Sequence, residues 1–181
     1  LGCGHMSLNA TYVADAYSLE QQVEHYAAIC RLAAEFGLVC DLEPIPMWGV
    51  QTLEQGWEIV RQADAPNGGL VFDTLHFVRG NSTLEAIEAM DGDKIHCVQI
   101  CDGIHPLEQG VTLEADCFNR MWPGTGNFPL AAIVTALEKI NGLNQVGPEV
   151  FSLANQQLSA EQVARACRES LAHYPELLRT H

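Results

Sequence analysis

Leu38-Val39-Cys40-Asp41-Leu42-Glu43 is a short apolar-rich run stopped by Pro44 and Pro46, and proline has no amide to give a strand ladder. It reads as a β-strand. Upstream, Ser18 is placed as an N-cap, and Val23, Tyr26, Ala27, Cys30, Ala33 and Ala34 recur at helical spacing from Leu19 to Phe36 before Gly37. His5 to Ala10 is a strand before that helix. Downstream the same unit returns, with a helix over Thr52 to Gln62, then Gly68-Gly69 and a strand at Leu70 to Asp73. A helix at Leu84 to Met90 precedes a strand at Ile95 to Cys101. The last units are a helix over Pro129 to Ile140, a turn at Asn141-Gly142, a strand at Val146 to Phe151, and a helix capped by Ser159 from Ala160 to about His173. Strand and helix alternate five times, the pattern of βαβ units on a parallel sheet and hence an α/β fold.

Composition narrows the function classes. The chain has 181 residues, with 9 Lys+Arg against 23 Asp+Glu, a formal charge of −14. A chain of this size buries roughly two-thirds of its unfolded surface without needing staples. Its 48% hydrophobic and 18% charged residues describe a globular interior. The apolar runs fall well short of the ~20 residues a bilayer span needs, and no segment has the layout of a signal peptide. The acidic balance opposes nucleic-acid binding, which requires a basic face to displace counterions. Seven cysteines without a CxxC pair suit reduced core thiols in a cytoplasmic protein. Cys97 and Cys101, four apart, leave a thiolate metal site as the alternative.

The polar residues fall at telling places. Glu43, Asp73, Gln99 and Glu149 each sit near the C-terminal edge of an otherwise apolar strand. In parallel α/β proteins that edge is where ligands bind. Converging carboxylates repel unless a cation lies among them, and an all-oxygen set suits a hard divalent ion such as Mg²⁺ or Mn²⁺. Singly, each residue could instead cap a helix or pair with Arg31, Arg61 or Arg79, and position alone leaves that choice open. His76 is similarly open between a backbone-bonded core imidazole and a functional group. His5, His25, His96, His173 and His181 belong to no motif, and His105 is a weak candidate for substrate contact. The 26-residue segment from Asp102 to Asn127 is long for a connector and carries Asn119-Arg120 and Trp122-Pro123-Gly124-Thr125-Gly126. Its glycines either cradle a phosphate or simply turn the chain. Trp48 and Trp122 are either an apolar lid over a sugar or fillers beneath the loops.

Taken in order, Leu42-Glu43-Pro44, Asp73-Thr74-Leu75-His76 with Arg79, Val98-Gln99-Ile100-Cys101-Asp102, Arg120 before Pro123-Gly124-Thr125-Gly126, and Glu149-Val150-Phe151-Ser152 resemble the sugar phosphate isomerase/epimerase family. That family lies within the xylose-isomerase-like TIM barrels, which include inosose and 3-dehydroshikimate dehydratases. The resemblance implies a single partial domain of this type over residues 1–181. It also implies a divalent metal, Mn²⁺ or Mg²⁺ rather than Zn²⁺, held by Glu43, Asp73, Gln99 and Glu149. Many members have His where this chain has Gln99, which hardens the set. His76 and Arg120 match positions that contact substrate oxygens.

Members are usually longer, so the five strands correspond to the fourth through eighth of a barrel, with those before missing. An incomplete barrel exposes edges, which predicts either a truncated product or an assembly, such as a homo-oligomer, that covers the gap. The implied reaction is isomerisation or epimerisation of a small keto-sugar or polyol-derived ketone through a metal-stabilised enediolate. Glu43 and Glu149 would be the bases. The alternatives are a dehydratase using the same proton abstraction and a non-catalytic barrel remnant. No nucleic-acid or membrane partner is expected.

Overall fold

The structure, a computed structural model, describes residues 2–178 except the side chains of Glu176 and Leu178; Leu1 and His181 lie outside the described residues. Five strands, β1 (His5–Asn9), β2 (Val39–Glu43), β3 (Gly68–Asp73), β4 (Ile95–Ile100) and β5 (Val146–Pro148), form one parallel sheet in sequential order. The helices α1 (Leu19–Ala34), α2 (Leu53–Ala63), α3 (Thr74–Arg79), α4 (Leu84–Glu88), α5 (Leu113–Cys117), α6 (Leu130–Lys139) and α7 (Ala160–Leu171) run between and after the strands. Consecutive parallel strands joined through helices are the build of a TIM barrel. Among the described residues β1 and β5 are its open edges.

Local chemistry explains the boundaries. Ser18 and Ser159 start α1 and α7 with full capping boxes, their hydroxyls accepting from the amides of Gln21 and Gln162. Strand side chains alternate between two faces. Cys40, Leu42, Leu70, Phe72, Ile95, Val98 and Ile100 point toward the helices and are buried in the core. There the Tyr26 hydroxyl of α1 accepts from the Gly69 amide at 2.9 Å and donates to the Cys40 carbonyl at 2.9 Å, so one buried phenol stitches α1 to β2 and β3.

Two expectations need correction, and one helix lies where the sequence pattern gives none. Directly after β3 the Asp73 carboxylate accepts from the His76 amide and caps the short helix α3. The stretch from Asp102 to Asn127 is not structureless: it contains α5, with Thr112 as its cap, and an antiparallel bridge between Asp102 and Met121. The last strand ends at Pro148 rather than Phe151. Proline brings no amide there, and the chain beyond turns to the long loop, where the Phe151 carbonyl accepts from the Arg120 amide at 2.9 Å. Glu149 therefore follows β5 instead of lying within it.

Candidate functional site

The four strand-end residues come together at the C-terminal edge of the sheet. Glu43 ends β2, Asp73 ends β3, Gln99 sits one residue before the end of β4, and Glu149 directly follows β5. Asp73 is in register with Gln99, and Gln99 with Gly147. Gln99 Nε2 donates to Glu149 Oε1 at 2.8 Å, and its Oε1 is buried with no hydrogen-bond partner. Asn9 of β1 donates to Glu43 Oε2 at 3.1 Å.

Arg120 arrives from the long loop. Its Nη1 lies 2.6 Å from Asp73 Oδ2 and 2.8 Å from Glu149 Oε2, and its Nε donates to the Cys117 carbonyl at 3.3 Å. The guanidinium rests over the Phe151 ring, 5.0 Å being the matching distance for Arg79 over Phe128 and 5.4 Å for this pair. Arg120, expected to face substrate, is thus the internal countercharge of two of the four expected ligands. Of the arginines named as rival partners, Arg61 pairs with Glu58, and Arg79 with buried Asp116 at 2.7 Å.

His76 stands on the first turn of α3, its Nε2 3.6 Å from Glu43 Oε1 and its buried Nδ1 without a partner. Glu43, Asp73 and His76 can offer ligand atoms that all lie within 4.8 Å of one another. His76 therefore lies in the carboxylate cluster as well as at its rim. The spacing Asp73-x-x-His76, a cap and the residue whose amide it binds, is the sequence signal for that placement.

The electrostatics separate the acids. Burial, then the charge of Asp73, raises Glu43 to about 7, against the pull of the Asn9 hydrogen bond and Arg120. Burial and Asp73 raise Glu149 to about 7 in the same way, opposed by Arg120. Burial also works against ionised Asp73, but His76 and Arg120 more than offset it and hold its carboxyl below the ordinary value. Burial lowers His76, so its imidazole favours the neutral, ligating form. Asp73 is the fixed anion, and Glu43 and Glu149 are poised to exchange protons near neutrality.

Other expected features resolve differently. The Pro123-Gly124-Thr125-Gly126 turn holds no free anion cradle: the amides of Gly124 and Gly126 donate to Asp102 Oδ2 at 3.0 and 2.9 Å, and Phe128 donates to Oδ1 at 3.0 Å. A Cβ at Gly126 would collide with the Gly103 carbonyl and Asp102. Buried Asp102 is what folds the long loop. Cys101 lies buried just past β4, its thiol raised to about 12 by burial and Asp73, and Cys97 is raised by burial and the surrounding carboxylates. Both sit far from thiolate character. His105 is exposed, and its backbone is clasped by the Asn127 side chain. Trp48 packs edge-on against Tyr12, 4.7 Å between ring centres, while Trp122 lines an open groove with Phe118 and Phe151.

Comparison with known proteins finds relatives over most of the chain. An inosose isomerase of Bacillus velezensis is 33% identical over 141 residues, covering 77% of this chain and 49% of that protein. A 3-dehydroshikimate dehydratase of Pseudomonas aeruginosa is 32% identical over 136 residues, covering 74% of this chain and 21% of that protein. The 1.8 Å crystal structure of the IOLI protein with a bound zinc atom superposes with a TM-score of 0.85 at 26% identity, over 98% of this chain and 64% of that one. The chain spans about half the length of the inosose isomerases it matches. A family profile described as xylose isomerase-like TIM barrel matches residues 1–173, and the chain belongs to that family.

Proposed function

We propose that this chain carries the divalent-metal and proton-transfer site of an isomerase or epimerase acting on a small keto-sugar or polyol-derived ketone. The observation that carries the reading is the meeting of Glu43, Asp73, Gln99 and Glu149 at one strand edge, with Gln99 Oε1 buried and unpartnered. A buried acceptor without a donor is costly, and a cation is the partner that would satisfy it among carboxylates. The donor set therefore fits a divalent ion. Glu43, Asp73, Gln99 and Glu149 are all oxygen donors and favour Mn²⁺ or Mg²⁺; His76 within reach of Glu43 and Asp73 adds a nitrogen that suits Zn²⁺. The neighbouring IOLI structure holds zinc, and the ion that supports exchange in the test below is the one this site uses.

When bound, a divalent ion supplies Lewis-acid polarisation of a carbonyl and its adjacent hydroxyl. The chain's own groups do the rest. Glu43 ends β2 and Glu149 directly follows β5, two strands that are not neighbours in the sheet, one base for each face of a planar intermediate. Each has its pKa near 7, where a carboxyl both accepts and returns a proton. Arg120, fixed by Asp73 and the Phe151 ring, holds Glu149 in place and brings positive charge to the developing oxyanion. His76, favouring its neutral form and anchored through α3, faces Glu43 with Nε2 3.6 Å from Oε1, while Asn9 holds Glu43 through a hydrogen bond. The substrate is carbohydrate-like, in keeping with the inosose isomerase relatives. Among the described residues no helix is long and apolar enough to cross a membrane.

The test is deuterium uptake. The chain, loaded in turn with Mn²⁺, Mg²⁺ and Zn²⁺, is incubated with an inosose in D₂O, and loss of the C–H signal beside the carbonyl is followed by NMR. Exchange is expected with at least one ion and should fall about 100-fold or more in Glu43→Gln and Glu149→Gln. A folded, metal-loaded chain that exchanges no faster than buffer would overturn the reading and leave the barrel remnant. The similarity to 3-dehydroshikimate dehydratases supports the second reading, a dehydratase. It is distinguished by the ultraviolet absorbance of a conjugated product appearing with 3-dehydroshikimate.

A further inference from the structure

Below the strand-end site, toward the N-terminal end of the same inner face, His5 of β1, Asp41 of β2 and His96 of β4 meet. His5 Nδ1 lies 2.8 Å from Asp41 Oδ2, and His96 Nδ1 lies 2.6 Å from Asp41 Oδ1. The two imidazoles stand edge to face, 5.9 Å between centres. Asp41 is buried while His5 is 40% exposed at its side chain, so the group has a closed base and an open mouth. Their ligand atoms all fall within 4.8 Å of one another.

Two irregularities of the sheet build this meeting. The β3–β4 register shifts, Leu70 pairing with Ile95 but Val71 with Cys97, so His96 is an extra residue in its strand. Such a bulge re-aims side chains; here His96 and Cys97 together oppose the single residue Val71, so His96 faces inward after Ile95 while Val98 still returns to the helix side. The room it turns into is Gly69, where a Cβ would overlap the His96 ring and the Lys94 carbonyl. A bulge and an interior glycine each weaken a strand, and both serve to deliver one imidazole to one buried carboxylate.

The geometry points to a second cation site at His5, Asp41 and His96, independent of the strand-end site, taking a borderline divalent ion of the Zn²⁺ class. Two imidazole nitrogens and one carboxylate oxygen are a donor set for zinc with one position left open. A tetrahedral ion with bonds near 2.0 Å spreads its ligand atoms to about 3.3 Å, so the present 2.6 and 2.8 Å contacts open by roughly half an ångström. The exposed His5 ring supplies that movement. Gln145, whose Nε2 is 3.2 Å from His5 Nε2, orients the ring from behind, as outer-shell partners of metal-bound histidines do.

The experiment uses the full chain carrying Glu43→Gln and Glu149→Gln, which disables the strand-end site, titrated with Zn²⁺ alone. One equivalent is expected to remain bound after dialysis, with X-ray absorption showing two imidazoles and no sulfur. His5→Asn, at the exposed member, should lose that equivalent while keeping the same circular dichroism; His96→Gln serves as the second variant. No stoichiometric zinc in the folded double variant overturns the site, as does a sulfur-ligated ion or one retained unchanged in both histidine variants. The wild-type chain should hold two equivalents. One equivalent lost with Glu43 and Glu149 would break this inference and leave the strand-end reading standing; one lost only with His5 would do the reverse.

Discussion

The two faces of the sheet are made by the same strands and differ in almost everything. Toward the helices, Leu42, Leu70, Phe72, Ile95, Val98 and Ile100 form an apolar core. Toward the inside lie Asn9, Asp41, Glu43, Asp73, His96 and Gln99, with Arg120 and Glu149 above them. The interior of a TIM barrel is ordinarily packed with Val, Ile and Leu in layers. Here stability resides in the outer layer, which leaves the inner face to carry charged groups whose only mutual support is their pairing. The outer face is held by area and shape, the inner by charge balance.

The sharpest way to break that contrast is to remove the inner cation. Arg120→Ala leaves buried Asp73 and Glu149 without their guanidinium, and losing one partner of a buried ion pair costs about 3–5 kcal/mol. Leu70→Ala on the outer face, at a side chain with 0% exposure, costs about 2–5 kcal/mol through lost contacts and a cavity. The melting temperature falls in both. Only in Arg120→Ala should Mn²⁺ or Zn²⁺ recover much of the loss, because only there does a cation replace what was removed. Equal metal response in both variants would sink the distinction.

A smaller effect sharpens it within the inner face. Gly69→Ala forces a methyl against His96 and the Lys94 carbonyl, an overpacking cost of about 1–3 kcal/mol by chemical denaturation. Gly147→Ala on β5, beyond β4, meets nothing within 4 Å and should stay within about 0.5 kcal/mol. Comparable losses would mean that the bulge does not depend on that gap.

The smallest effect is in pH. Glu43 and Glu149 are raised from 4.5 to about 7 in the folded chain, so between those values the folded state binds more protons than the unfolded one. Stability from these groups is therefore greatest below pH 4.5 and declines as pH rises through 7. His76, lowered by burial, acts oppositely: its contribution is lost as pH falls below its unfolded value of 6.5. The metal-free chain should gain a few degrees in melting temperature from pH 7.5 to pH 5.5, and Glu149→Gln should flatten the gain. A gain unchanged in Glu149→Gln and in Glu43→Gln would mean that neither carboxyl is held up in the fold.

Much of the fold was legible because period and caps are local. The starts of α1 and α7 at Ser18 and Ser159 match the expected caps, and all five strands lie where apolar runs between turn residues placed them. Where reading failed, one residue served two elements. Asp73 ends a strand and caps a helix, and Pro148 ends β5 while the residues beyond it pair with the long loop. The strand-end set Glu43, Asp73, Gln99 and Glu149 was legible as exceptions to apolar strands. The His5, Asp41 and His96 group was not, because it joins three strands, and the bulge that lets His96 face inward while Ile95 and Val98 both face the helices leaves no mark in the sequence.

The sequence by itself determined a parallel α/β chain, a polar edge at its strand ends, and a strongly acidic molecule. These follow from residue type and spacing along one strand or helix, where the geometry is set by the backbone. Only the tertiary structure decided which charges neutralise which. Arg120 is more than forty residues from Asp73, and its guanidinium went to the Asp73 and Glu149 carboxylates rather than to open solvent. Asp102 took the glycine amides that a phosphate would need. Buried charges choose partners by distance across the fold, and that distance is not written in the order of the residues.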